Sequence, residues 1–371
     1  MNELEIKTER LVQMLKAENF GGVLLNSQHN FAWLTAGANN GVDLSRENGV
    51  SSLLIRNDGK RFILANRIEM PRMLAEEVSE NDFEPIDFAW ETEKANPNLL
   101  LDTAKNLLEN HSSLATDIFF NPQNRIVEGL IAKSRFQLTT EEIKRFQQLG
   151  NDAGKVVGKI HEQIEIGQTE IEIANIVRFE LGKRNINSVV TLVAADERIS
   201  KYRHPIPTEN SWKKVLMVVV CAKRSGLIAS LSRIFCFGEI PEDLRKKTDA
   251  VAKVHAEMIN ATHQNSNGKQ IFEIAKKSYS DVGFTNEEVK HHQGGACGYK
   301  TRDWVAHPDS AEQVYLNQAF AWNPSITGTK SEETFLVNEN GIEVITKSGN
   351  FPVIRNVIDG KEYFTPDILV I

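Results

Sequence analysis

Residue types that hydrolases use for proton transfer and for binding polar groups are concentrated between residues 203 and 333. Histidine is the side chain that best takes up and releases a proton near neutral pH, and arginine offers a planar fork of donors that fits a carboxylate. Seven residues of such types stand in short clusters: His204, His291, His292, Tyr299, Arg302, Asn323 and Glu332. Together they predict a polar site that can transfer protons.

The stretch VLMVVVCAKRSGLIASLSRIF, residues 215–235, predicts two apolar strands joined by a tight turn at Gly226. Strands that helices cover need apolar residues on both faces. The stretch contains no Asp or Glu. Any chemistry next to this hairpin must therefore run without a carboxylate from it.

Composition restricts the class of protein. The chain has 371 residues, 41% of them hydrophobic and 25% charged, which is typical of a soluble protein with two domains. A net charge of -7, with scattered Lys and Arg, argues against nucleic acid as a partner. No apolar run is long enough for a membrane span, and the charged N-terminus is unlike a signal peptide. We expect a cytoplasmic protein with three free cysteines.

Periodicity predicts a small α/β domain first. A helix is expected around residues 8–18, a strand at VLLN, and a hairpin that turns at 57–59, with helices near 68–78 and 99–109. Thr139 and Glu142 then have capping-box spacing before a long helix. The change to long helices predicts domains at 1–137 and 138–371. Helices over a curved antiparallel sheet make the second an α+β layer.

Four stretches then carry a resemblance: RHPIPT, the hairpin, HHQGGACGYKTRDW and NQAFAWNPSITGTKSEETFLV. With the N-terminal domain, they resemble the creatinase/aminopeptidase P family in its motif order. The resemblance implies a small N-terminal creatinase-like α/β domain followed by a C-terminal pita-bread catalytic-type domain. It also implies a homodimer, in which residues 30–48 reach the partner's cavity.

Peptidases of that family hold two metal ions with two Asp, one His and two Glu. The positions that match those ligands here are Val219, Ser230, His292, Asn323 and Glu332. One negative charge cannot replace the hydration of two divalent ions. We therefore expect neither a metal nor another cofactor, while a single weak ion on His292 and Cys221 stays open as a minor alternative.

The resemblance to creatinase, which needs no metal, implies hydrolysis of a C–N bond in a small-molecule or short peptide-like substrate. His204 would act as general base and then acid, and Glu332 would hold a cationic or hydrogen-bonding group. His292, Asn323, Ser230 and Arg302 would line the site. His291 and Tyr299 complete the expected set, with His291 also open to a role behind its neighbour. An amide, a guanidino compound and an N-acyl amino acid fit equally.

Two alternatives belong to other classes. A catalytically inactive pseudo-peptidase would keep the fold as a binding module, and an Xaa-Pro metallo-aminopeptidase or dipeptidase would keep the family's chemistry. Cys297 offers a minor third possibility, a thiol nucleophile beside a His base. Glu333 is expected to face solvent, because neighbours on a strand point to opposite sides.

Overall fold

The computed structural model describes residues 1–109 and 113–371, which form two compact units, Met1–Arg135 and Phe136–Ile371. Among the described residues, no helix combines the length and the apolar character that crossing a membrane requires.

Within its described residues, the first unit has six α-helices, one π-helix and one mixed sheet. The helices α1 to α6 are Glu3–Ala17, Gln28–Leu34, Met70–Arg72, Trp90–Ala95, Leu99–Asn106 and Glu128–Arg135. The strands β1 to β6 are Gly22–Ser27, Asn48–Arg56, Arg61–Asn66, Glu84–Phe88, Leu114–Thr116 and Arg125–Ile126. They pair in the order β4-β3-β2-β1-β5-β6. The predicted turn at 57–59 joins β2 to β3, and Gly59 has a φ of +89°, which favours glycine. The predicted 68–78 helix is instead α3 followed by a π-helix at Met73–Glu77.

The second unit has a 3₁₀-helix at Ile160–Glu162 and five α-helices. They are α7 to α11: Thr140–Gly158, Glu170–Gly182, Arg198–Lys201, Glu242–Ala261 and Gly268–Asp281. Thr139 and Glu142 form the predicted capping box of α7 by exchanging side-chain and backbone hydrogen bonds. Thr169 and Glu172 do the same at α8. These caps satisfy backbone N–H groups that the first helical turn leaves unpaired.

Most of the second unit's strands form two sheets. Strands β7 to β13 are Asn187–Ala195, Val215–Arg224, Leu227–Cys236, Gly294–Cys297, Trp304–Val305, Gln318–Trp322 and Ser325–Ile326. Strands β14 to β19 are Thr329–Lys330, Glu333–Asn338, Gly341–Val344, Val353–Ile358, Lys361–Pro366 and Ile368–Val370. One sheet has the order β19-β9-β8-β7 and the other β11-β10-β12-β15-β16, with β13-β14 and β17-β18 as separate pairs.

The predicted hairpin is β8 and β9, with the turn at Ser225 and Gly226, both of which have positive φ. All ten residues of β9 are buried. Side chains link this hairpin to the other sheet. Thr334 Oγ1 accepts from the Ser230 N–H at 2.8 Å, and the Ser232 N–H donates to the Glu332 carbonyl at 3.2 Å. The residues around Glu332 are therefore fixed against β9.

The Gly-rich motif is explained by strand spacing. Gly294 and Gly295 begin β10, which lies between β11 and β12. A Cβ on Gly294 would lie 2.2 Å from the Ala321 carbonyl oxygen, and one on Gly295 would lie 1.8 Å from the Trp304 carbonyl oxygen. Only glycine allows this approach. The motif thus fixes the segment that carries His291 and His292.

Candidate active site

A cavity of about 200 Å³ lies over the central strands of the hairpin sheet. Strand register builds its floor. Val219 and Cys221 of β8 pair with Ser232 and Ser230 of β9 on one side, and with two residues of β7 on the other. The lining residues are Val190, Leu192, His204, Val219, Cys221, His292, Thr301, Arg302, Asn323, Lys330 and Glu332.

His204 enters the site from the loop after α9. The neighbouring Arg203 holds this loop: its Nη2 lies 2.6 Å from Glu287 Oε2 and 2.9 Å from Thr327 Oγ1. A guanidinium anchored to a carboxylate in this way restricts a loop that has no regular structure. The position of His204 therefore depends on an ion pair outside the cavity.

His291 and His292 precede β10, and the buried Gln293 fixes their segment. The Tyr279 hydroxyl donates to Gln293 Oε1 at 2.8 Å, and Gln293 Nε2 donates to the Glu288 carbonyl at 3.0 Å. A buried amide with both ends bonded has one orientation. This network holds the two histidines at the entrance to β10.

The three histidines are in contact. His204 Nε2 lies 3.0 Å from His291 Nε2, so one ring donates to the other. The rings of His291 and His292 are stacked with centroids 4.4 Å apart, while those of His204 and His292 are 6.0 Å apart. One ring nitrogen from each lies within 4.8 Å of the others. We call these residues the histidine cluster.

Burial and nearby cations keep the histidine cluster neutral. Burial, followed by Lys330, lowers the pKa of His291 to about 3. Burial, Arg302 and Lys330 lower the pKa of His292 to about 4. The pKa of His204 is lowered by burial and by Lys330. At neutral pH each ring therefore has a lone pair that can accept a proton.

Glu332 is buried and is surrounded by donors. Its Oε2 lies 2.9 Å from Lys330 Nζ and accepts from Ser232 Oγ at 2.8 Å, and its Oε1 accepts from Arg302 Nη2 at 3.1 Å. Burial alone would raise the pKa of this carboxyl, but Lys330 and Arg302 lower it to about 2. Glu332 is thus ionised, and its cations belong to the chain itself. The expected role of holding a substrate cation does not fit this arrangement.

Five predicted site residues line the cavity, namely His204, His292, Arg302, Asn323 and Glu332. Two others, His291 and Ser230, contact these residues from behind the cavity. His291 contacts His204. Ser230 Oγ donates to Cys221 Sγ at 3.3 Å and accepts from Arg302 Nη1 at 3.3 Å. Tyr299 is buried and is not one of the lining residues. The structure therefore brings seven of the eight predicted residues together, and Tyr299 is buried outside the cavity lining.

The expectation that Glu333 faces solvent is wrong, because only 4% of the residue is exposed. It points away from Glu332, as strand alternation requires, but into a second buried region. Arg233 Nη2 lies 2.8 Å from Glu333 Oε1 there, and Thr346 Oγ1 also donates to the carboxylate. A buried carboxylate needs such a partner.

The thiols do not support nucleophilic chemistry. Cys297 is buried, and burial raises its pKa to about 12. Burial also raises the pKa of Cys221. A thiol attacks as the thiolate, so a raised pKa makes a thiol inert. The alternative of a Cys297 nucleophile is therefore not supported.

Lys330 is the residue that the sequence interpretation missed. Only 6% of its side chain is exposed, and its ammonium lies against Glu332. One signal was available: Lys330 stands two residues before Glu332, and strand alternation places residues i and i+2 on the same side. Lysine is so rarely buried that this signal is easily read as a solvent-facing pair.

Two divalent ions do not fit the positions that match the family's ligands. Val219 offers only carbon, and Ser230 and Asn323 offer neutral oxygens. Glu332, the one carboxylate, already faces two cations, which would repel an incoming metal ion. The histidine cluster offers three neutral nitrogens, but Lys330 lowers the pKa of each ring and would repel a metal ion there too.

Comparisons with known proteins agree with the fold. The model of the family described as metallopeptidase family M24 matches residues 144–343. An uncharacterized peptidase of Staphylococcus haemolyticus is 23% identical over 354 residues, which cover 90% of this chain and 99% of the relative.

Solved structures extend the likeness over both units. An Xaa-Pro dipeptidase from Bacillus anthracis has a TM-score of 0.74 at 17% identity and covers 100% of both chains. A dipeptidase from Pyrococcus horikoshii OT3 has a TM-score of 0.78 at 18% identity, with 92% of this chain and 98% of that chain covered. These likenesses confirm the predicted fold, an N-terminal domain followed by a pita-bread domain.

Proposed function

Because the chain belongs to metallopeptidase family M24, we propose that it is a hydrolase of this family that cleaves a C–N bond in a small polar substrate without a metal pair. The proposed substrate class comprises amides, guanidino compounds and N-acyl amino acids, including short peptide-like molecules. The proposed catalytic residues are His204 and His292. Glu332, which the sequence placed among the catalytic residues, is proposed instead to position Lys330 and Arg302.

One observation carries the proposal: both oxygens of Glu332 are bound by side chains of the chain itself. Lys330 and Arg302 neutralise this carboxylate, and Ser232 donates to it. A carboxylate bound in this way has little remaining capacity to attract a divalent ion. The histidine cluster beside it is then the group best suited to the chemistry.

The reaction would need one water molecule and one proton carrier. His204 would take a proton from the water, whose oxygen bonds to the electrophilic carbon as the C–N bond breaks. The same proton would then pass to the leaving nitrogen, so His204 ends neutral, as it began. The contact between His204 Nε2 and His291 Nε2, at 3.0 Å, would fix the orientation of the base. His292 would orient the substrate beside it.

The remaining polar groups would orient the substrate. Arg302 and Asn323 line the cavity and offer donors and an acceptor. Ser230 would act through Arg302, whose Nη1 it contacts. Glu332 would hold both cations in place. Tyr299 would support the segment that follows β10 without touching substrate.

A metal-dependent Xaa-Pro dipeptidase is the second candidate. The observation that favours it is the histidine cluster, since three imidazoles within 4.8 Å can bind a transition metal ion. Lys330 weighs against it through charge repulsion. A binding module without turnover is the third candidate, and it predicts ligand binding with no product.

Turnover assays with matched histidine variants would test the proposal. The chelator-treated protein should hydrolyse at least one of N-acetylglycine, glycylproline and creatine. His204→Ala should abolish most of this activity, whereas His263→Ala should not, because His263 is an exposed loop residue that hydrogen-bonds locally. No product from any substrate class, or activity that appears only after metal addition, would refute the proposal.

We also propose a homodimer, on the family resemblance alone. Light scattering should give about twice the chain's 41.7 kDa. A monomer at micromolar concentration would refute it.

A further inference from the structure

We infer that Lys330 and Arg302 form a receptor for a carboxylate on the substrate. This inference rests on the proposed hydrolase function and narrows its substrate class. It assigns to Lys330 a binding role that the sequence motifs give no sign of.

The charges that face the cavity do not balance. Among its lining residues, Lys330 and Arg302 are cations and Glu332 is the one carboxylate, so one positive charge is in excess. The histidine cluster is neutral at pH 7 and does not change this balance. A partly buried site with an excess cation attracts an anion more strongly than an exposed lysine does.

The two cations also have donors to spare. An ammonium has three N–H donors, and among the described residues the acceptor beside Lys330 Nζ is the Glu332 carboxylate. Arg302 Nε is buried and has no hydrogen-bond partner within the part of the chain that the structure describes. A buried donor without a partner is costly. A carboxylate oxygen from a ligand would satisfy such donors.

Asn323 supplies the second half of the recognition. It is 3% exposed, lines the same cavity, and its Oδ1 has no hydrogen-bond partner among the described residues. This oxygen is an acceptor that a ligand N–H would satisfy. The ligand should therefore have both an anionic group and an N–H donor.

Size and charge then select among the three substrate classes. A cavity of about 200 Å³ is below the roughly 300 Å³ at which drug-sized pockets begin, which favours a small molecule. The excess cation repels the positive charge of a guanidino group. An N-acyl amino acid has a carboxylate, an amide N–H and a scissile C–N bond, and it is the class that the site fits.

Neutralising Glu332 does not require two cations. Its neighbour Glu333 has one cationic partner, Arg233, whose three guanidinium nitrogens all donate to protein acceptors. Charge balance with Glu332 alone therefore does not explain why a second cation lies beside it. A role in binding an anionic ligand does explain the second cation.

Calorimetric titration of the full-length protein tests the inference. The probes are N-acetylglycine, its uncharged analogue N-acetylglycinamide, and inorganic phosphate. Wild-type protein should bind N-acetylglycine about 10- to 100-fold more tightly than N-acetylglycinamide. This is the range expected when one charge-assisted hydrogen bond is lost. Equal binding of the two, or phosphate binding tighter than N-acetylglycine, would overturn the carboxylate assignment.

Charge variants locate the effect. Lys330→Gln should lose the preference for the anion, while Lys330→Arg should keep most of it. Arg302→Gln provides an independent variant if Lys330→Gln does not fold, as judged by near-UV circular dichroism. Lys253→Gln is the matched control, because Lys253 pairs with Glu257 on a half-buried part of α10 away from the cavity lining. An unchanged preference in Lys330→Gln or Arg302→Gln would overturn the inference.

This binding readout separates the two proposals. Selective anion binding without turnover would refute the hydrolase function and leave the receptor standing. Turnover of amides without any preference for the anion would refute the receptor and leave the hydrolase function standing.

Discussion

Glu332 and Glu333 are neighbours in sequence, yet they lie in two different environments. Glu333 has one cation, Arg233, and every guanidinium nitrogen of that arginine has a protein acceptor. Glu332 has two cations, and Arg302 Nε has no partner among the described residues. A balanced and fully bonded pair stabilises a fold, whereas an excess of charge and donors beside a cavity is prepared for a ligand.

The comparison also explains why the two carboxyls respond differently to burial. The pKa of Glu333 is raised, because burial outweighs the effect of Arg233. The pKa of Glu332 is lowered to about 2, because Lys330 and Arg302 together outweigh burial. The same residue type thus has opposite shifts on the two faces of one segment. The number of cations beside each carboxyl decides whether its pKa is lowered or raised.

The largest expected effect is on catalysis. It is expected on the side of the segment to which Glu332 points, which borders the cavity and is called the cavity face below. His204→Ala should lower kcat by about 10²- to 10⁴-fold, the usual contribution of a general base. The melting temperature should change little, because His204 lies in a loop and lines the cavity without being part of the hydrophobic core. Steady-state kinetics and a thermal melt of the same sample give both values. A kcat within threefold of wild type would place the base elsewhere.

The next effect is on stability. It is expected on the opposite side of the segment, the core face, to which the buried Glu333 points. Arg233→Met leaves the buried Glu333 without its cation and should lower the free energy of unfolding by about 3–5 kcal/mol. Urea titration followed by tryptophan fluorescence measures this change. Arg233→Met combined with Glu333→Met should recover part of the loss, because no buried charge then remains unpaired. A single variant as stable as wild type would contradict the account of this pair.

Lys330→Gln should cost less stability than Arg233→Met, about 1–3 kcal/mol, because Glu332 keeps Arg302 and Ser232 as donors. The same urea titration applies. Equal losses in Lys330→Gln and Arg233→Met would mean that the two faces do not differ in the way proposed.

Acid should weaken the cavity face first. The folded pKa values of His291 and His292, about 3 and about 4, lie below the ordinary value of 6.5. The unfolded chain therefore binds more protons, and stability falls as the pH falls from 6.5 towards 4. Glu332 adds a loss of the same sign from pH 4.5 towards 2.

Unfolding experiments at a series of pH values measure this slope. In His291→Gln combined with His292→Gln, the loss between pH 6.5 and 4 should be smaller than in wild type. An identical slope in both proteins would contradict the neutral state assigned to these rings.

The smallest effect is expected at the surface. Lys253→Gln removes a solvent-accessible, half-buried ion pair with Glu257 and should change the free energy of unfolding by less than about 1 kcal/mol. Urea titration should barely separate this variant from wild type. A larger loss of stability would mean that burial does not determine how much a lysine ion pair contributes to stability in this unit. The comparison of Lys330 with surface lysines would then have no basis.

Local patterns predicted the elements that position the site. The capping box at Thr139, the turn at Gly226 and the Gly-rich motif before β10 all depend on residues close in sequence, and such signals are readable without a structure. The family resemblance then named eight site residues, and the structure places seven of them in or directly behind the cavity lining.

Long-range electrostatics were not readable in the same way. Lys330 in TKSEE has the sequence context of a surface lysine, and only the folded structure shows that it is buried beside Glu332. His204 and His291 meet across 87 residues of sequence. Glu333 was expected to face solvent because alternation gives the side of a strand but not what covers it.

The central claim is that this site works with the chain's own cations in place of a metal pair. Elemental analysis of the purified protein, together with its turnover of N-acetylglycine before and after chelation, tests it most directly. We predict far less than one metal ion per chain and the same rate after chelation. One or two tightly held ions per chain, with activity that chelation removes and metal restores, would contradict it.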